Sequence, residues 1–346
     1  VNATSFSGKG KDGNSPLDKA NVPVFQIALS TSNRAAWAEA ARGLSPADMA
    51  MHVVLPEVDG RIFAGVASFK EPEEMDEALQ FAPVGHQPDE ERINAICAKI
   101  VNWYTLQKTP IPKQKLTLIL STYPGRPWQM AHAVGLDAIA SAQAILEDLG
   151  YNIETKEESF ESLLTHKTMS WDIASYKTAL SEVPLSLQEE LYSVWGAPEA
   201  DLLAVDGSFK FTSLSFGNAL VALQPERGIK QNREGEYHDI SRTPCHSYVA
   251  FYLWLQKVMK VDAIIHVGAH GTLEWLPGKA VALSDNCWPE VLAGNMPIIY
   301  PFIINDPGEA AQAKRRISAV TLGHIPPPLK KAKTPEQFSQ LESLLY

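Results

Sequence analysis

Apolar positions along this chain fall into two recurring patterns: short continuous runs closed by glycine or proline, and longer stretches with a period near 3.6 residues. The short runs predict strands at residues 22–30, 51–55, 61–69, 115–120, 151–155, 261–267 and 297–304. Residues 209–223 read as paired strands or one long strand through Gly217. The longer stretches predict helices. Asn33 caps one that runs to Arg42 and stops at Gly43, and a second covers residues 89–107 with Ile93, Ile96, Ile100 and Tyr104 on one core stripe. Further helices are expected at 134–149, around 159–180, at 187–194 and at 245–260. In the last of these, Tyr248, Tyr252 and Trp254 read as core. Asp306, Pro307 and Glu309 form a capping signature for a final helix that runs through Arg316 and stops near Gly323.

Strands alternating with helices predict an α/β class built of mainly parallel sheets flanked by helices, in Rossmann-like three-layer lobes. At 346 residues the chain exceeds one ordinary domain. The proline break at Pro110–Pro112 and the polar linker at 225–235 suggest lobes at 1–112, 113–228 and 229–346. The first residue is Val1 rather than Met, and the chain ends in an unfinished helical pattern, so a segment of a longer protein is expected.

Composition narrows the function. A formal charge of −10, from 30 basic and 40 acidic residues, argues against a nucleic-acid partner. The acidic run at 71–77 reads as a solvated face, and no apolar run approaches a membrane span. Cys97, Cys245 and Cys287 are far apart and form no C-x-x-C motif. That pattern suits buried thiols in a reducing cytoplasm rather than a disulfide framework.

The chemistry concentrates in residues 261–279, V-D-A-I-I-H-V-G-A-H-G-T-L-E-W-L-P-G-K. An apolar strand breaks at Gly268 and Gly271, and Thr272 stands where a helix N-cap would. His266, His270 and Glu274 follow one another at intervals of four. Structurally these are a core histidine, a glycine turn and a helix-capping carboxylate. Functionally they are an imidazole–carboxylate cluster for proton transfer or for a borderline divalent ion such as Co²⁺, Zn²⁺ or Ni²⁺ rather than Mg²⁺. His238 and His246 lie just upstream. If strands 261–267 and 297–304 are neighbours, the turn from Asn305 to Glu309 faces the same crevice. A second loop, S-T-Y-P-G-R-P-W after residue 120, offers Tyr123, Arg126 and Trp128 for stacking and a guanidinium fork, or is a proline-stiffened connection. No H-E-x-x-H, no G-x-x-x-x-G-K-[ST] and no G-x-G-x-x-G after a strand is present, so nucleotide hydrolysis belongs to another chain.

The run H-V-G-A-H-G-T-L-E-W-L-P-G-K, then C-W-P-E from Cys287 to Glu290, then Y-P-F-I-I-N-D-P-G-E-A-A-Q-A-K-R-R from Tyr300 to Arg316, resembles the large subunits of the multisubunit tetrapyrrole chelatases, the CobN and magnesium-chelatase H family. Trp275 before Leu276–Lys279, together with A-M-H-V-V-L-P-E-V-D-G-R-I from Ala50 and H-S-Y-V-A-F-Y-L-W-L from His246, is similar to the cobalt branch; the magnesium branch tends to carry Phe-Met there. Chains of that family are several-fold longer.

The resemblance implies a nitrogen–metal ligase, a cobaltochelatase of cobalamin biosynthesis. It would bind hydrogenobyrinic acid a,c-diamide and take Co²⁺ as substrate metal. Mg-ATP would be hydrolysed on a partner AAA+ ATPase subunit, with a further partner carrying an integrin-like domain. The isolated segment is expected to be inactive. The family's proposed catalytic carboxylate maps onto Glu274, as general base or metal-delivery ligand. His270 and His266 then serve as metal ligands or proton relays, with His246 and His238 behind them. Trp275 and Trp288 wall the macrocycle. Lys279, Lys314, Arg315 and Arg316 pair with its carboxylates, unless Lys314–Arg316 only complement a helix C-terminus. Asn305 and Glu309 line the crevice. Alternatives are insertion of Mg²⁺ into protoporphyrin IX, a non-catalytic tetrapyrrole-binding module in which Glu274 is a cap, and a stand-alone metallohydrolase.

Overall fold

Where the chain places its first sheet is decided by side-chain caps as much as by apolar runs. The computed structural model describes residues 1–4, 17, 21–121, 132–133, 136–153, 158–228, 239–268, 271–303 and 307–324. Strand β1 (Phe25–Leu29) leads to helix α1 (Arg34–Glu39), which starts where Asn33 accepts from the Ala36 amide at 2.8 Å. This helix ends at Glu39, short of the expected Arg42. Strand β2 (Ile62–Pro72) pairs parallel with β1 and antiparallel with β3 (Val84–Pro88). Helix α2 (Glu90–Lys108), capped by Asp89, packs on β2 through Ile96. Tyr104 is off the expected core stripe, 60% exposed.

One expectation fails here. Residues 51–55 are helical, not a strand. Ser45 Oγ accepts from the Asp48 amide at 3.1 Å and Pro46 occupies the first helical position, so a helical run continues from Pro46–Met49 through Ala50–Val54 to Leu55–Val58. The cap overrides the strand preference of Val53 and Val54.

The second sheet contains β4 (Leu116–Leu120), β5 (Thr168–Asp172), β6 (Ala204–Val205), β7 (Ser208–Phe216), β8 (Ala219–Leu223), β9 (Ala263–Val267), β10 (Ile298–Ile303) and β11 (Val320–His324). Its order is β11-β10-β9-β4-β8-β7-β5, with β6 on β7. The five strands from β11 to β8 are mutually parallel, while β7 is antiparallel to its neighbours. Gly217, at φ 62°, turns the β7–β8 hairpin. Strand β4 is flanked by β8 and β9, so strands from both sides of the expected boundary at residue 228 share one sheet.

Successive residues of the central strands face opposite layers, which is why their runs are apolar throughout. Leu118, Leu120, Val221, Ile265 and Val267 pack with helix α3 (Ala138–Asp148). Ile119, Leu220, Ala222 and Ile264 face helices α4 (Ile173–Leu180), α5 (Leu185–Trp195), α6 (His246–Trp254) and α7 (Trp288–Ala293). Every residue of α6 is buried, since it lies between the sheet and outer helices. Tyr248, Tyr252 and Trp254 are core, as expected.

Three further expectations are corrected. The region 159–180 is not all helix: β5 intervenes between Phe160–His166 and α4 because it pairs with β7. Residues 151–153 form no strand. Helix α8 (Pro307–Arg316) ends at Arg316, and the residues toward Gly323 form β11 at the sheet edge.

Candidate functional site

From β4 the chain builds outward to β5–β8 on one side, then returns to build β9–β11 on the other. The strand order therefore reverses between β4 and β9. In open parallel sheets the carboxyl ends of the two strands at such a reversal form the ligand crevice. Here those ends carry Ser121 and His266. The Ser121 amide donates to Val267 O at 3.2 Å, and Ser121 Oγ lies 3.5 Å from His266 Nδ1.

His266 is 1% exposed, and its imidazole lies flat on the ring of Tyr300 from neighbouring strand β10, with centroids 4.8 Å apart and planes at 7°. Gly271 closes over this pair. A β-carbon there would stand 2.4 Å from Tyr300 Oη and 2.6 Å from His266 Nε2, so only glycine lets the backbone approach both.

Glu274 sits on a single 3-10 turn, Leu273–Trp275, rather than on the expected helix. Thr272 does not act as an N-cap; its hydroxyl lies 2.8 Å from Tyr248 Oη. The next carbonyls are claimed by buried guanidiniums. Arg316 Nη1 donates to Glu274 O, and Arg227 Nη1 donates to Trp275 O at 2.9 Å. Pro277 supplies no amide to continue a helix.

The Glu274 side chain is fully buried, and Tyr300 Oη donates to its Oε1 at 3.0 Å. The Gly271 amide donates to the same phenol oxygen. Burial, and then the Glu274 charge, push the Tyr300 phenol well above its ordinary pKa, so it stays a neutral donor. Behind it, Gln224 Nε2 donates to Tyr252 Oη at 2.7 Å and to Tyr248 Oη at 3.2 Å, and burial raises both phenols as well. Arg316, 3% exposed, is pulled down to about 10 by burial. A buried carboxylate, a phenol and an imidazole thus meet at the switch point, backed by a buried cation. Such a set can accept a proton or present oxygen and nitrogen to a divalent ion.

The other expected residues distribute unevenly. His238, His270 and Asn305 lie outside the described residues, as do Tyr123, Arg126 and Trp128. His246 is not brought to the crevice: Tyr176 Oη lies 2.8 Å from its Nδ1 and Gly196 O lies 2.9 Å from its Nε2. Both ring nitrogens are engaged in the core, which corrects its assignment as a metal ligand. Trp288 is packed in the main core with Leu276 and Leu292, so the structure gives it a packing role rather than the expected macrocycle wall, whereas Trp275 is half-buried. Lys279 donates to Ala38 O and Ala40 O at 2.7 and 2.9 Å, and Arg316 Nε to Lys279 O at 3.0 Å, so both are structural cations rather than free clamps. Lys314 and Arg315 both pair with Glu57, at 3.1 and 2.8 Å. Glu309 is half-buried in the first turn of α8. Among the described residues, no three of His, Cys, Asp and Glu converge on one point. The reading of residues missed Tyr300, Ser121, Arg227 and the Gln224–Tyr252–Tyr248 chain. The one signal for Tyr300 was the adjacency of its strand to β9.

Fold and site together define an α/β protein with a buried acid–imidazole centre at a sheet switch point. The chain belongs to the CobN/Magnesium Chelatase family, whose model matches residues 1–346. It is 37% identical over 365 residues to aerobic cobaltochelatase subunit CobN of Sinorhizobium sp, covering 100% of this chain and 29% of that protein. It is 38% identical to the CobN subunit of Pseudomonas aeruginosa, covering 94% and 28%. Against the chloroplastic magnesium-chelatase subunit ChlH of Oryza sativa subsp. indica the identity is 28%, covering 95% and 24%. The structure of the catalytic subunit of cobaltochelatase from Mycobacterium tuberculosis superposes with a TM-score of 0.80 at 33% identity, over 100% of this chain and 31% of that one. The chain therefore spans under a third of the length of these relatives. No helix among the described residues is long and apolar enough to cross a membrane.

Proposed function

We propose that this chain carries the metal-insertion centre of a tetrapyrrole chelatase, and that Glu274 is its acid–base or metal-delivery group. The observation that carries this reading is the fully buried Glu274 carboxylate, fixed by Tyr300 beside His266 at the switch point. Insertion exchanges two inner N–H protons of the macrocycle for one divalent ion, so the site needs a base near the pyrrolic nitrogens and a path that strips water from the metal. Glu274 takes such a proton, or holds the ion while the nitrogens replace its water. In this reading His266 relays the proton onward, and His270 completes the metal-binding set. Trp275 lies against the macrocycle.

The substrate pair we assign is Co²⁺ and hydrogenobyrinic acid a,c-diamide, supported by the higher identity to the cobalt relatives than to the magnesium one. With no phosphate-binding loop in the sequence, Mg-ATP is hydrolysed on a partner AAA+ ATPase subunit, and a subunit with an integrin-like domain completes the machine. The three unpaired cysteines fit work in the cytoplasm.

Reconstitution of the full-length chain with its partner subunits and ATP tests the reading. Co²⁺ is supplied with the corrin precursor, and Mg²⁺ with protoporphyrin IX. Cobalt insertion that collapses in Glu274→Gln while tetrapyrrole binding survives is expected. Turnover with magnesium and protoporphyrin instead would reassign the substrate, and a fully active Glu274→Gln would remove Glu274 from the chemistry.

A further inference from the structure

Resting on that reading, the structure assigns Tyr300 as the positioning residue of the centre: one neutral phenol orients the Glu274 carboxylate and, through its ring face, the plane of the His266 imidazole. The phenol oxygen serves both partners. The Gly271 amide can only donate, so it takes a lone pair of Tyr300 Oη. The phenol in turn donates to Glu274 Oε1, 3.0 Å away. A neutral donor to a carboxylate restricts its rotation and steadies its charged form, without the competing positive charge that lysine or arginine would bring to an incoming cation.

The ring does the second task. Stacked at 4.8 Å and 7° on His266, it fixes the plane of the imidazole, with Nε2 on the side covered by Gly271. Both contacts come from a rigid element, since Tyr300 is fully buried in β10 and pairs through it with β9 and β11. A loop residue could not keep a carboxylate and an imidazole in fixed relation, and small misplacements of such groups are costly in rate.

The role predicts a kinetic signature distinct from loss of fold. In the full-length chain with its partner subunits, Tyr300→Phe keeps the stack and removes only the hydroxyl. The kcat for metal insertion is expected to fall about 10- to 100-fold, the scale of a lost hydrogen bond to a charged group. KM for the tetrapyrrole and its binding, read by fluorescence quenching, should move less than about twofold, because the macrocycle does not touch the hydroxyl in this assignment. On the Glu274→Gln background the same change should cost little more, since residues acting as one unit are not additive. Gly271→Ala, whose methyl would press on both the phenol oxygen and His266 Nε2, should lower kcat at least as far as Tyr300→Phe. A Tyr300→Phe enzyme with unchanged kcat, or one whose loss adds in full to that of Glu274→Gln, overturns the Tyr300 assignment and leaves the Glu274 reading intact. A Glu274→Gln enzyme at full rate overturns both.

Discussion

Lys279 reaches from the loop behind Glu274 to the first lobe, where its ammonium stands 5.3 Å from the centre of the Trp37 ring. The same ammonium donates to Ala38 O and Ala40 O, and Trp37 Nε1 donates back to Ala282 O at 3.0 Å. Arg92 adds a bond to Leu283 O at 3.2 Å. The loop that follows the Leu273–Trp275 turn is therefore pinned to the first lobe from both sides. Burial lowers the lysine pKa, so the cation is held against its own desolvation by these acceptors. Lys279→Met fills the volume but leaves Ala38 O without its lysine donor, while Ala40 O keeps only the Gly43 amide, and should cost about 1–3 kcal/mol. Chemical denaturation checks it; an unchanged midpoint would mean the tether contributes nothing.

Gly268 predicts a steric effect that can be reversed. A β-carbon at this position would lie 2.5 Å from Ser121 Oγ and 2.7 Å from Ser121 Cβ. Overpacking of this kind costs about 1–3 kcal/mol. Gly268→Ala should therefore lower stability by that amount, and adding Ser121→Gly should restore most of it. Thermal melts of both single variants and the pair supply the comparison. Failure of the second change to rescue the first would show that the clash lies elsewhere.

The parallel strands and the meeting of His266 with Glu274 near a strand end were legible because each rests on local pattern: an apolar run closed by glycine, or polar groups at short spacing. The first miss was local as well. Residues 51–55 are too short an apolar run to separate strand from helix by periodicity, and the Ser45–Pro46 start decided for helix. The larger misses are tertiary. His246 stands close to the motif in sequence, yet its partners Tyr176 and Gly196 come 70 and 50 residues earlier and hold it in the core. Tyr300 sits inside an apolar strand with nothing local to mark it. Only the parallel pairing of Ile264 with Ile298 and Ile265 with Ile299 brings it onto His266. Lys279 and Arg316 looked like substrate clamps because long cations are usually exposed; here folding itself consumes them.

Trp288 separates a packing role from a binding role. It is fully buried beside Leu276 and Leu292 in the main core, and its indole N–H has no partner among the described residues. Trp288→Ala should cost about 3–5 kcal/mol through cavity formation. Trp288→Phe should cost much less, since it removes an unsatisfied donor along with part of the ring. Tetrapyrrole affinity of Trp288→Phe in the full-length protein should stay within about twofold of wild type. A tenfold loss of affinity in a stable variant would place the indole against the macrocycle after all.

His246 should make the fold acid-sensitive. Gly196 O can only accept, so His246 Nε2 carries the proton and Nδ1 accepts from the Tyr176 hydroxyl. A second proton would have to enter at Nδ1, against that hydroxyl, in a buried position. Burial accordingly lowers the His246 pKa from 6.5, with Asp201 and Glu199 opposing and Lys177 assisting. Well above pH 6.5 the imidazole is neutral in both folded and unfolded chains, and it contributes no slope. As pH falls through 6.5 the unfolded chain takes up a proton that the folded chain refuses, so stability declines with acidification until the folded pKa is passed. His52, also lowered by burial, acts in the same direction. His246→Gln should be less stable at pH 7 by about 1–3 kcal/mol, through weaker hydrogen bonds. Its stability should then change less than that of the wild type between pH 6.5 and 5. Urea unfolding across that range decides the point, and parallel curves for variant and wild type would assign the acid sensitivity to other groups.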